Sequence, residues 1–298
     1  MAFQRTFASK TTLISATAFM AVAALSLASS AHAAQPPVGE GTAASYAVLA
    51  GSGITNTGAT TISGTAGGDL GSSPTGTFTG DTFVTTTGTK FTAVNAQTTQ
   101  AKADLVTAYN DAAGRVPVAQ TISADLAAAH LDPGVYKSAS SLLLSGVLTL
   151  DAHNDPNAVF IFQAVSSLTT MSGSSVALLN GARACNVFWQ IGSSATFGTT
   201  SDFNGRVLAH DSITANSNAT FHGQLLASGG AVTLDTNTIV NDVCETVVPT
   251  GTGTPSPTTT NGGGLPNTDA PDFSTPLLAG LGLAVLGSVV LVARRRRS

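Results

Sequence analysis

Phe203-Asn204-Gly205-Arg206-Val207-Leu208-Ala209 is followed 18 residues on by Phe221-His222-Gly223-Gln224-Leu225-Leu226-Ala227. Around these copies stand Ala195-Thr196-Phe197, Ile213-Thr214-Ala215 and Val232-Thr233-Leu234, each a threonine flanked by two inward-type side chains. A short repeat of alternating residues punctuated by glycine is the pattern of a β-solenoid, whose coils bury a core only by stacking. Stacked in register, the threonines form a column at the ~4.7–4.8 Å spacing of neighbouring strands. Leu148-Thr149-Leu150 and Leu168-Thr169-Thr170 fit the same alignment, so the predicted outward column is Thr149, Thr169, Thr196, Thr214 and Thr233. Two residues back lie Val147, Ser167, Ser194, Ser212 and Ala231; two residues on lie Asp151, Met171, Gly198, Asn216 and Asp235. Ser194, Ser212 and Asn216 are the predicted helpers of the column. Such a column is a surface rather than a pocket, and it suits another extended, repeating surface. The plain alternative is that threonine is a good strand residue on a solvated face.

Other strands read differently. Val159-Phe160-Ile161-Phe162, Val187-Phe188-Trp189, Val207-Leu208-Ala209 and Leu225-Leu226-Ala227 are apolar at both parities. A strand apolar on both sides is buried on both sides. The cover is predicted to be a helix over 91–113, where Phe91, Val94, Ala101, Leu105, Ala108, Tyr109 and Ala112 recur at helical spacing before Gly114 and Pro117 stop the pattern. At 1.5 Å per residue it would run about 34 Å along the stack. The fold class is therefore mainly β, a parallel solenoid with one long helix alongside, and Tyr46-Ala47-Val48-Leu49-Ala50 reads as an early strand.

The ends carry a separate set of signals. Arg5 and Lys10, an apolar stretch over 11–30 and Ala31-His32-Ala33 form a secretory leader, with cleavage expected after Ala33. Residues 34–248 are then one domain, and 249–264 a Pro/Thr/Gly spacer. Leu265-Pro266-Asn267-Thr268 resembles the Leu-Pro-x-Thr-Gly sorting signal of Gram-positive bacteria, with Asp269 where that signal has Gly. An uncharged apolar stretch over about 273–293 is long enough to span a bilayer. Arg294-Arg295-Arg296-Arg297 places the last residues in the cytoplasm. The expectation is an exported domain at the cell surface, anchored to wall or membrane.

Within 34–248, 14 Asp and Glu stand against 6 Lys and Arg. This acidic balance argues against a nucleic-acid partner, which needs a basic footprint. Cys185 and Cys244 bracket the repeats in an exported domain, which permits a disulfide. Asp202, Asp211 and Asp235 fall at scattered slots, and His130, His153, His210 and His222 share no metal-like spacing. No cofactor, metal or catalytic site is expected, and an enzyme of the glycan-cleaving kind would need converging carboxylates.

Longer motifs bring a resemblance. Ser45-Tyr46-Ala47-Val48-Leu49-Ala50-Gly51, Gly68-Asp69-Leu70-Gly71-Ser72-Ser73-Pro74, Leu131-Asp132-Pro133-Gly134-Val135-Tyr136 and Cys185-Asn186-Val187-Phe188-Trp189-Gln190-Ile191-Gly192 follow one another in order. Over about 44–243 the chain resembles the microbial ice-binding proteins that fold as a discontinuous, right-handed β-solenoid with a flanking helix. The resemblance implies that the N-terminal coil stacks out of sequence order. It also implies an ice crystal surface as partner of a flat, threonine-rich face; the domain itself is expected to be monomeric. A surface adhesin or structural envelope module on the same scaffold is the alternative.

Overall fold

The computed structural model describes residues 35–116 and 122–244. The predicted leader, spacer, sorting signal and span lie outside the described residues. Among the described residues no helix is long and apolar enough to cross a membrane.

The solenoid has three faces, and every pairing between its strands is parallel. The two copies of the opening repeat lie side by side in full register, from Asp202↔Thr220 to Ala209↔Ala227. Each of these strands bends mid-way, so that its first half belongs to one face and its second half to the next. The bend falls at Gly205 and Gly223, both at positive φ. A Cβ on Gly205 would stand 2.5 Å from Trp189 Nε1, so only glycine turns here.

One face is sheathed by the helix Ala96–Gly114. From one end of the stack to the other its strands are Lys90–Phe91, Asp69–Ser72, Tyr46–Ala50, the second halves of Thr220–Ala227 and Asp202–Ala209, then Val187–Ile191, Phe160–Ala164 and Gly134–Ser138. In Tyr46–Ala50, Val187–Ile191 and Phe160–Ala164 every residue is buried on both sides, as both-parity apolarity requires. Inward, Tyr136, Phe162 and Trp189 stack at 5.5 and 4.0 Å between ring centres. Outward, Leu49, Ile161, Phe188, Leu208 and Leu226 pack with Ala101, Leu105, Ala108 and Ala112 of the helix.

The helix starts later than its periodicity predicts. Phe91 pairs as a strand with Gly71. Asn95 then caps the helix, its side chain accepting from the Thr98 N–H at 2.9 Å. At 19 residues the helix is about 29 Å long. Polar contacts along its length pin it to the sheet, Gln190 Nε2 donating to Tyr109 Oη at 2.7 Å among them. Tyr46 Oη and Thr98 Oγ1 are 3.1 Å apart at its start. Lys102 Nζ donates to the Ala227 and Ser228 carbonyls in the middle. Gln163 Nε2 donates to the Ala112 and Arg115 carbonyls at its end.

The first coil is placed out of sequence order. Ile54–Thr57 pairs with Val232–Asp235, and Tyr46–Ala50 with Thr220–Ala227, so the N-terminal strands sit on the last coil of the repeat. The Cys185–Cys244 disulfide forms, closing a separation of 59 residues.

Candidate functional site

The seven-stranded sheet is left bare by the helix. It runs Phe78–Thr79, Ile54–Thr57, Val232–Asp235, Ile213–Ala215, Ala195–Phe197, Leu168–Thr170 and Leu142–Leu144. Alternation decides its geometry. Ile54, Val232, Ile213, Ala195 and Leu168 point into the core, so the residue after each points to water. Those residues are in register across the sheet: Thr79↔Thr55, Thr55↔Thr233, Thr233↔Thr214, Thr214↔Thr196 and Thr196↔Thr169. Six threonines on six neighbouring strands make a row about 24 Å long at the standard strand spacing.

Four of the five predicted column residues are in this row: Thr169, Thr196, Thr214 and Thr233. Thr149 is not. It lies on the third face, in Val147–Asp151, opposite Ala177 and His130. Val147 and Asp151 go with it, so neither roughens the threonine sheet. The position next to Thr169 belongs to Leu143. Thr55 and Thr79 were missed by reading coils in sequence order; the signals Ile54-Thr55 and Phe78-Thr79 have the same inward–threonine form.

The row's neighbours are small. On one flank Ser141 and Ser167 hydroxyls lie 2.9 Å apart, Ser194 Oγ accepts from the Ser212 N–H, and Ser212 Oγ accepts from the Ala231 N–H. These serines stitch coil to coil. On the other flank Asn216 is exposed, and Asp235 is held by the Ser217 and Thr236 hydroxyls. The row itself differs from both flanks. Among the described residues, none of its six hydroxyls bonds to another protein group, whereas Thr42, Thr65, Thr86 and Thr99 all spend theirs internally. All six therefore remain available to water, each beside a methyl group.

The third face carries a shorter row in register, Thr85, Thr61, Thr238 and Thr220. It is broken by Asp202, whose carboxylate lies 3.7 Å from His222 Nε2.

Among the described residues each of the four histidines sits beside a carboxylate at the surface: His130 by Asp151, His153 by Asp132, His210 by Asp211 and His222 by Asp202. Hydrogen bonds from the His153 backbone N–H and the Asn180 amide hold the Asp151 carboxyl below the usual carboxylate range. A cavity of about 470 Å³ lies beside the disulfide, lined by Arg183, Cys185, Asn204, His222 and Asp242 among others. It offers a single carboxylate, which accepts from the Thr65 N–H and hydroxyl. Among the described residues no group of three or more His, Cys, Asp or Glu is placed to hold a metal ion.

A parallel stack entered out of order, sheathed on one face and studded with a regular polar row on another, defines the class of discontinuous β-solenoids with a flanking helix. The chain belongs to the ice-binding-like family, whose profile matches residues 48–240. It is 46% identical over 204 residues to an ice-binding protein of Nostoc sp. (strain HG1), covering 67% of this chain and 73% of that protein. It is 34% identical over 215 residues to one of Flavobacterium frigoris (strain PS1), covering 67% and 74%. Its fold is similar to the crystal structure of an ice-binding protein from an Antarctic biological consortium, at 47% identity and a TM-score of 0.66, covering 70% of this chain and 92% of that one. That of the Antarctic ascomycete Antarctomyces psychrotrophicus follows at 40% and 0.65, covering 68% and 98%.

Proposed function

We propose that the protein binds ice through the row Thr79, Thr55, Thr233, Thr214, Thr196 and Thr169, with Ser194, Ser212 and Asn216 at its margins. In this reading it does so as a monomeric domain tethered at the cell surface. The observation that carries the reading is a register of six threonines whose hydroxyls have no protein partner among the described residues. Each hydroxyl holds a water, and each methyl keeps that water from wandering. Because five of the six strands beneath are paired on both sides, with only the Phe78–Thr79 strand at the sheet edge, the array is already ordered and loses little entropy on binding. The relatives' ice-binding names support the same ligand. The C-terminal signals support the tether.

The third face's four-threonine row is the competing surface, which sets the experiment. Thermal hysteresis and inhibition of ice recrystallisation are measured for the parent, Thr214→Tyr and Thr238→Tyr. The expected result is an active parent, at least a tenfold loss in Thr214→Tyr at unchanged melting temperature, and near-parent activity in Thr238→Tyr. Loss only in Thr238→Tyr moves the site to the third face, and an inactive parent overturns ice binding altogether.

A further inference from the structure

The threonine row stops abruptly at one end. Beyond Thr169 the next strand presents Leu143, and beyond that Asp125 pairs with Leu143 in the same direction. Leu142 and Leu144 enter the core, while Leu143 points outward between them. Its side chain reaches about one C–C bond, or ~1.5 Å, further than a threonine and offers water no hydrogen bond. Met171, 51% exposed, stands on the flank beside Thr169. Asp125 then brings a charge. Its carboxylate accepts from the Ser145 N–H and hydroxyl at 3.1 and 2.6 Å and from the Ala127 N–H at 3.0 Å.

The backbone, by contrast, continues unchanged. Leu142, Leu143 and Leu144 pair in regular register with Leu168, Thr169 and Thr170. The Ser141 hydroxyl extends the serine flank to this coil through its 2.9 Å contact with Ser167. The scaffold for a seventh position is thus built, and one side chain denies it to the row.

We infer that Leu143 is the boundary residue of the ice-binding face: it ends the face one coil short of the scaffold and so limits the activity. This inference rests on the proposed function. Leu143→Thr would lengthen the row from six threonines to seven, from about 24 to about 28 Å. Leu143→Val keeps threonine's branched shape without the hydroxyl.

The test uses the purified full-length protein and its Leu143→Thr, Leu143→Val, Leu143→Tyr and Thr214→Tyr variants. Thermal hysteresis is read at equal concentration, with melting temperature as the check on folding. Leu143→Thr is expected to exceed the parent by about a sixth or more, in proportion to row length. Leu143→Val should fall between the two, and Leu143→Tyr should stay at the parent level because the position already lies outside the face. An active parent with Leu143→Thr no better than wild type overturns the inference and leaves the proposed function standing. So does a Leu143→Tyr loss as deep as that of Thr214→Tyr, which would put Leu143 inside the face. An inactive parent overturns both.

Discussion

Thr200 shows what a single residue contributes where the threonine face turns into the third face. Gly173, Thr200, Asn218, Thr236 and Gly58 stack at that corner, and every one has positive φ. Glycine and asparagine adopt this conformation readily, but a β-branched residue is strained in it. Thr200 is exposed, and its hydroxyl reaches only the adjacent Thr199 carbonyl. Thr200→Gly is therefore expected to stabilise the fold by about 1 kcal/mol, read as a raised urea midpoint. Threonine's place in this corner is invisible to pattern reading, because the same residue type also marks the flat row. The same ambiguity explains Thr149. Leu148-Thr149-Leu150 has the form of a row strand, and it precedes Thr169 by an interval much like those between later coils. The actual partner, Leu143, carries no threonine. Successive coils differ in length: the serine flank steps 26 residues from Ser141 to Ser167 but 18 from Ser194 to Ser212. The later coils are shorter because one eight-residue strand serves two faces, whereas earlier coils use separate strands joined by loops.

The helix is the element whose existence and burial were legible and whose start was not. Its apolar positions are real, but Phe91 belongs to a strand that needs only two residues, too few for alternation to declare itself. Less legible still was Lys102, which pattern reading would place in solvent and which is buried beneath the helix. Desolvation lowers its ammonium to about 8 from its ordinary 10.5, while the Ala227 and Ser228 carbonyls work to retain the charge. The sign of the consequence follows. Between about pH 8 and 10.5 the unfolded chain keeps a proton that the folded chain has lost, so stability rises with pH across that window. Tyr46 and Tyr136, both raised by burial, pull the other way only above pH 10. Urea midpoints at pH 7.5 and 9.5 should increase for the parent and stay flat for Lys102→Met. A parallel rise in both would assign the effect elsewhere.

For the molecule as a whole, the disulfide is the strongest single constraint on the unfolded chain. A closure of 59 residues is worth about 4 kcal/mol by loop entropy. Cys185→Ser with Cys244→Ser should lower unfolding free energy by about that amount, measured by denaturant titration. The Thr196, Thr214 and Thr233 register lies in strands paired on both sides, so ice activity below the new melting point should persist. The overall class was readable because the repeat in 203–227 survives as a full register, and because strands apolar at both parities announce a covered face. The order of coils was not readable from periodicity, since periodicity carries no information about which coil sits on which; only the family resemblance implied it.

That order has a further effect on how the surface comes into being. Thr55 and Thr79 are made first, and Thr233, the residue that joins them to the rest, is made among the last. A chain interrupted before Val232–Asp235 therefore holds two fragments of the threonine row with nothing to bridge them. Pairings of such long sequence separation are also slow to form. The surface does not grow coil by coil as synthesis proceeds; its two parts join in one late step, once Val232–Asp235 has been added.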